Sequence, residues 1–303
     1  MASIYRPFLC LITLTTIAFG PGHFTPASAQ TGSWPNEPPG FSTVLDCPLS
    51  GSLCGMWDAY SSVSWGPGNG TPAPSTPQVL DVAMSAGSTQ GNGQWGMALP
   101  DLKELYFGTW WSTNPEFQGN VNNSNKMVFF RNSAIDNSLI SWMGLQDAPR
   151  TLRWYFQATY DNCHVSGYSG GCYSQGDGTG YLNPNVNAGA ATVSAGSGWH
   201  RIELYLKSST TATSRNGELR MWVDGSMTHN YTNLNLTPTG FNDFQINSAW
   251  DGSPPYTAAG RDMSRAWHHY YHNLRISVGK GTASADQPPG PPAAPTLRNI
   301  TTP

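Results

Sequence analysis

Between residues 199 and 225 the chain twice alternates between apolar and polar positions with the period of a β-strand. In WHRIELYLK, His200, Ile202, Leu204 and Leu206 fall on one side, and Arg201, Glu203, Tyr205 and Lys207 on the other. In NGELRMWVDG, Leu219, Met221 and Val223 alternate with Glu218, Arg220, Trp222 and Asp224. Successive side chains of a strand point to opposite faces, so each segment predicts a strand with one apolar face, and the two together a hairpin. Asn216-Gly217 and Asp224-Gly225 bound the second strand with residues that tolerate positive φ.

The same period predicts shorter strands at 78–85, 93–99, 105–111, 126–131, 139–144, 151–160 and 241–246, and a closing strand at 267–278. Unbroken alternation through that last segment, WHHYYHNLRISV, puts Tyr270 and His272 with Leu274, Ile276 and Val278 on the apolar face. It leaves His269, Tyr271, Asn273 and Arg275 on the polar face. No helical periodicity interrupts the series. About ten short strands separated by turn residues predict an all-β fold, a two-sheet antiparallel sandwich.

The ends read differently. Residues 1–29 carry Arg6 as their only charge, then an apolar run over 8–20, then Ala27-Ser28-Ala29. This is the pattern of a secretory signal peptide cleaved after Ala29. The run is too short to span a bilayer comfortably, so the expectation is export of a soluble chain, without membrane insertion. Residues 30–77 are rich in Pro, Gly and Ser and are expected to pack as a lead-in on a domain covering 78–280. Residues 281–303 are a Pro-rich linker or tail, suited to joining a further module or a cell-surface partner.

Composition narrows the function. Charged residues make up 11% of the chain and the net charge is −3 with mixed signs, so there is no basic footprint for nucleic acid or anionic lipid. The 12 Trp and 13 Tyr, set among many Asn, Ser and Thr, suit sugar recognition. After removal of Cys10 the cysteines form two close pairs, Cys47 with Cys54 and Cys163 with Cys172. Local pairing gives two loop-stapling disulfides, as an oxidising compartment favours.

The segments W-H-R-x-E-x-Y-x-K and N-G-E-x-R-x-W-V-D-G, followed by the closing HNLRIS, resemble the concanavalin A-like jelly rolls of secreted bacterial proteins. That superfamily includes laminin-G-like modules, legume-type lectins, glucanases and several polysaccharide lyases. The resemblance covers roughly 78–278. It implies a jelly roll with sugar lying across the concave sheet. A fainter echo is of the jelly-roll alginate lyases: Arg201-Ile202-Glu203-Leu204 resembles their R-x-E-L, and Gln245-Ile246-Asn247 their Q-I-H. Asn247 stands where those enzymes have histidine, and their Y-F-K-x-G-x-Y strand has no counterpart.

The chemistry sorts accordingly. A retaining glucanase of this fold needs two carboxylates in an E-x-D-x-E type run, and neither Glu203 nor Glu218 begins one. A lyase needs a cation to neutralise a uronate carboxylate and a Tyr or His to take the proton, for which Arg201, Arg220, His269 and Tyr271 are candidates. Sugar-stacking and polar candidates are Trp110, Trp222, Trp250, Tyr205, Glu203, Asn273 and Arg275. Arg201 and Glu203 can equally form a cross-strand charge ladder with Glu218 and Arg220. No cofactor is required, although Asp224, Asn242, Asp243 and Asp251 offer oxygen ligands for a structural Ca²⁺. The expectation is a secreted domain binding an extracellular polysaccharide. The alternatives are a lyase cleaving a uronate polymer by β-elimination, and a laminin-G-like adhesion module that binds protein.

Overall fold

The computed structural model describes residues 34–60, 62–68, 78–86, 93–117, 125–132, 137–148, 151–158, 181–211, 213–236, 238–247 and 265–279. The signal peptide, Trp250, Asp251 and the Pro-rich tail lie outside the described residues.

Two antiparallel sheets form the sandwich. Sheet A contains β1 (Ser42–Cys47), β3 (Trp65–Gly66), β4 (Val79–Met84), β6 (Glu104–Thr113), β12 (His200–Lys207), β13 (Gly217–Val223), β14 (Ser226–Leu234) and β16 (Trp267–Val278). Its order is β14-β13-β12-β6-β16-β4-β3, with β1 also paired to β16. Sheet B contains β2 (Trp57–Asp58), β5 (Gln94–Leu102), β7 (Asn125–Asn132), β8 (Asn137–Ala148), β9 (Thr151–Ala158), β10 (Tyr181–Leu182), β11 (Thr192–Ser194) and β15 (Phe241–Asn247). Its order is β10-β9-β8-β7-β15-β5-β2, with β11 also on β9.

The predicted hairpin is present, with Leu204 opposite Met221 and Tyr205 opposite Arg220. Its apolar residues Ile202, Leu204, Leu206, Leu219, Met221 and Val223 all enter the core between the sheets. Aromatic rings join the layers. Trp111 of sheet A meets Trp154 of sheet B edge-on at 4.6 Å. Phe107 meets Phe130 at 5.6 Å and Phe244 at 5.7 Å. Aromatic pairs in such offset geometry add to the stabilisation from burial alone.

Two strands depart from the sequence expectation. Asp224-Gly225 bounds β13 as expected, and the strand that follows it, β14, is the first departure. Both residues adopt positive φ, 51° and 87°, and turn the chain directly into β14. That is the geometry by which an Asp-Gly pair closes a two-residue hairpin. β14 was not legible as a strand because its sequence, SMTHNYTNL, is nearly all polar.

The second departure is in β16. A bulge lies between His272 and Arg275, with Asn273 at φ 49°. The inserted residue reverses the alternation on its N-terminal side. Trp267 and Tyr271 therefore enter the core together with Leu274, Ile276 and Val278. The bulge is held on both sides: Thr109 Oγ1 donates to the His272 carbonyl, and the Asn273 N–H donates to Pro48 O.

Of the two disulfides expected from the sequence, the structure shows one, between Cys47 and Cys54. The other, between Cys163 and Cys172, is not among the bonds it shows: Cys163 and Cys172 both lie outside the described residues, in the long Gly/Asn/Ser-rich stretch between β9 and β10. The pairing of Cys172 with Cys163 therefore rests on their closeness in sequence alone.

The lead-in is tied down by β1, which pairs with β16 from Ser42↔Val278 to Cys47↔Leu274, and by the Cys47–Cys54 bond. Closing a loop this short stabilises by about 2–3 kcal/mol. A Cys47→Ser/Cys54→Ser double variant should lose roughly that amount in a urea titration. A midpoint unchanged from wild type would show that the loop is ordered without the bond. Among the described residues no helix is long and apolar enough to cross a membrane.

Candidate functional site

The outer face of sheet A collects most of the candidates, and they are occupied with one another. Glu203 is fully buried and its carboxylate accepts four hydrogen bonds. These come from Tyr106 Oη at 2.6 Å, Arg201 Nε at 2.8 Å, Asn36 N at 3.0 Å and Asn36 Nδ2 at 3.1 Å. Arg275 pairs with Glu37 at 3.0 Å and with Asp46 at 3.1 Å. Glu218 takes Lys207 at 3.1 Å and Arg220 at 2.5 Å. Tyr205 donates to Glu104 and lies beneath the Arg220 guanidinium, 5.2 Å from its ring centroid.

Arg201 and Glu203 thus pair along their own strand rather than across the hairpin with Glu218 and Arg220. The register explains this, because Trp222 stands opposite Glu203.

Residues 34–41 lie over this face as a strap. A Cβ on Gly108 would come within 2.6 Å of the Trp34 ring, so only glycine admits the indole there. Phe41 packs toward Tyr205 at 6.4 Å. Trp222 is nearly buried at the hairpin, and Trp110, opposite Arg201, is half-buried. Burial, then the Glu203 carboxylate, pushes the Tyr106 phenol far up. Burial, then Glu104, does the same to Tyr205. Neither phenol is suited to take a proton from a substrate.

The proposed bases His269 and Tyr271 are both fully buried. His269 faces Phe117 and accepts a hydrogen bond from Trp111 Nε1 at 3.4 Å, and Tyr271 Oη donates to Met127 O of sheet B at 3.4 Å. Burial lowers the His269 pKa to about 3 and raises that of Tyr271. Neither reaches a polymer. The bulge at Asn273 is the physical reason, since it puts His268, Tyr270 and His272 on the outer side of the strand, where Tyr270 and His272 are themselves buried by neighbouring residues. Among those three, His268 pairs with Asp81 at 2.7 Å, which raises its pKa. Tyr270 is pushed up to about 12, chiefly by burial.

The two segments that echo the alginate lyases separate. Arg201 is on β12 of sheet A, whereas Gln245 and Asn247 are on β15 of sheet B. They face opposite sides of the sandwich and form no common site. The oxygen ligands considered for Ca²⁺ separate in the same way: Asp224 lies at the β13–β14 turn, Asn242 and Asp243 on β15.

The outer face of sheet B holds residues that sequence reasoning did not single out. Across β7 and β15, Arg131 stands opposite Asp243 and Phe129 opposite Gln245. Arg131 Nη1 lies 3.8 Å from the Asp243 carboxylate, and Gln245 Nε2 donates to it at 2.7 Å. Burial raises the Asp243 pKa, partly offset by Arg131 and Gln245. Phe129 and Tyr155 form an aromatic pair outside the main core. Lys126 lies over the Phe129 ring at 5.9 Å, and Arg153 reaches Asn183 at 3.5 Å. Three cations, an amide, a carboxylate and two aromatic rings therefore share one face.

The alternation of TLRWYFQA sets Arg153 and Tyr155 opposite Leu152, Trp154 and Phe156, whereas KMVFFR predicts a strand without separating its faces. What it could not supply was that β7, β9 and β15 share a sheet.

This architecture is the jelly-roll sandwich also found in polysaccharide lyases. Over 82% of this chain and 100% of the other, it matches the endo-β-1,4-glucuronan lyase of the fungus Trichoderma reesei, with a TM-score of 0.54 at 15% identity. The marine PL-14 alginate lyase from Aplysia kurodai matches over 78% of this chain and 100% of its own, with a TM-score of 0.50 at 11% identity. No known family profile matches the sequence. No characterised protein is detectably similar to it in sequence.

Proposed function

We propose that the protein recognises an acidic, uronate-containing polysaccharide on the outer face of sheet B. The observation that carries this reading is the grouping of Arg131, Lys126 and Arg153 on that face, above the buried Phe129/Tyr155 pair. A guanidinium binds a carboxylate through charge-assisted, often bidentate hydrogen bonds. On the sheet A face, by contrast, six carboxylates (Glu37, Asp46, Asp81, Glu104, Glu203, Glu218) accompany four Arg or Lys cations among the described residues. A polyanion is disfavoured there. Export of the chain, as residues 1–29 suggest, would bring it to such a polymer.

Arg131→Ala should weaken retention on glucuronan or alginate about tenfold or more, the effect of losing one charge-assisted hydrogen bond. Binding of wild type should weaken with added salt. Equal retention of wild type and Arg131→Ala, or preference for a neutral glucan, would sink the assignment.

A second reading, cleavage by β-elimination, is supported by the whole-length likeness to two lyases of uronate polymers. Among the described residues Tyr155, nearly buried, is a phenol on this face, and Tyr155→Phe keeps the ring while removing the acid–base group. A rise in ultraviolet absorbance from unsaturated products in wild type, lost in Tyr155→Phe with binding intact, is the lyase result. Binding without that signal leaves a recognition module. Recovery of protein partners and no glycan would favour the adhesion alternative.

A further inference from the structure

We infer that Ser197, His200 and Asp224 form a nucleophilic triad for hydrolysis of a small carboxylic ester, at a site separate from the sheet B face and independent of the polysaccharide reading.

The geometry has the three links such a site requires. Ser197 Oγ lies 2.8 Å from His200 Nε2. His200 Nδ1 lies 2.7 Å from Asp224 Oδ2. Asp224 is itself fixed by the Arg201 N–H, which donates to Oδ1 at 2.8 Å. A nucleophile, a base within hydrogen-bond reach and a third group orienting the base define this arrangement by geometry, whatever the fold. Burial alone would raise the Asp224 carboxyl, but the hydrogen bonds from His200 and the Arg201 N–H outweigh it and hold it below its ordinary value. An ionised Asp224 keeps the imidazole proton on Nδ1 and leaves Nε2 as the acceptor facing the hydroxyl.

The local backbone is built to present the serine. Ser197 stands between Gly196 at φ 71° and Gly198 at φ 116°. The Gly196 N–H donates to Thr113 Oγ1 at 3.0 Å, and a Cβ there would meet Pro115 at 2.9 Å. The turn is therefore anchored on the end of β6 while the serine itself is exposed. Asp224 is held from the other side by the positive-φ turn joining β13 to β14. Residues from two loops 27 positions apart, Ser197 and Asp224, thus converge on His200 at the start of β12. The serine hydroxyl has two acceptors, His200 Nε2 and the Ser194 carbonyl at 2.5 Å. Rotation from the Ser194 carbonyl toward Nε2 would hand the hydroxyl proton to His200.

The chemistry balances with water as the sole co-reactant. Ser197 Oγ bonds to the ester carbonyl carbon while its proton passes to His200 Nε2. The C–O bond to the alcohol breaks as that proton passes to the departing alkoxide, leaving an acyl-serine. Water, deprotonated by His200, then attacks the acyl carbon; the bond from that carbon to Ser197 Oγ breaks as the proton passes from Nε2 to Oγ, releasing the carboxylic acid and restoring the serine. The exposed, solvent-facing serine suits a short acyl group on an accessible alcohol.

The test uses the full chain with a fluorophosphonate and with p-nitrophenyl acetate. Peptide mapping should find the phosphonyl adduct on Ser197. Ser197→Ala should abolish both labelling and ester turnover, and His200→Gln should reduce each at least about a hundredfold, the contribution of a positioned base. No adduct on Ser197 in folded wild type would overturn the triad. So would labelling in His200→Gln at the wild-type rate, which would assign the hydrogen bonds to holding the loop on the hairpin.

Discussion

Taking the protein from pH 7 to pH 5 should remove about 4 kcal/mol of folding stability through two buried histidines, His229 and His269. Each is fully inaccessible and each has its pKa lowered from 6.5 to about 3, chiefly by burial. A depressed pKa means that the unfolded chain binds protons in a range where the folded chain does not. The associated stability is complete above pH 6.5 and is lost progressively as pH falls toward 3. The slope is about 1.4 kcal/mol per pH unit for each histidine, so each loses about 2 kcal/mol by pH 5. His268 works in the opposite direction. Its pKa is raised, first by the hydrogen bond to Asp81, so its contribution is present at low pH and is lost as pH rises. Asp58 and Asp224, held below 3.8, act only at lower pH. Urea titrations at pH 7, 6 and 5 would measure the slope in wild type and in His269→Gln, which should show about half of it. A stability that stays level between pH 7 and 5 would mean that both imidazoles accept protons inside the fold.

His269 also shows where sequence reading stopped. Strict alternation is a local rule, and it recovered the faces of β12 and β13 because nothing interrupts them. In β16 one residue does. Asn273 is an ordinary polar residue in sequence, and the partners that hold its bulge, Thr109 and Pro48, come from distant parts of the chain. Every residue before it changes face as a result, and His269 and Tyr271 take the inward positions that alternation gives to Tyr270 and His272. β14 failed for a different reason: it is a polar edge strand with no apolar period to detect, although the Asp-Gly turn before it was visible. The strap over sheet A was legible only as a Pro/Gly/Ser-rich segment. Its contacts, Asn36 to Glu203 and Glu37 to Arg275, span 167 and 238 residues. The sheet B face has the same character. Alternation separates Arg153 and Tyr155 from the apolar side of β9, but the grouping of Arg131, Tyr155 and Gln245 depends on strand order, which local periodicity does not encode.

Replacing Glu203 by alanine should destabilise the fold by about 3–5 kcal/mol, the effect of removing one partner from a buried ionic network. For a domain of this size that corresponds to a fall of roughly 10 °C in Tm. Four donors converge on this carboxylate, and each would lose its acceptor at once. Two of them, Arg201 Nε and the Tyr106 hydroxyl, stand on the covered face of sheet A, where water cannot readily replace the lost bonds. The other two belong to Asn36, so the strap should also loosen. Glu203→Gln retains an acceptor oxygen without the charge and should fall between wild type and alanine. Asn36→Ala removes one side-chain bond and leaves the carboxylate paired with Arg201 and Tyr106, so its effect should stay near 1 kcal/mol. Proteolysis separates the two components: Glu203→Ala should be cut within residues 34–41 faster than wild type under conditions where the sandwich itself remains folded. If Glu203→Ala unfolds within 1 kcal/mol of wild type, the network is one in which desolvation cancels pairing. The strap would then be held mainly by Trp34 against Gly108 and by Glu37 on Arg275. Under that outcome Gly108→Ala, which places a methyl against the indole, would become the more damaging substitution.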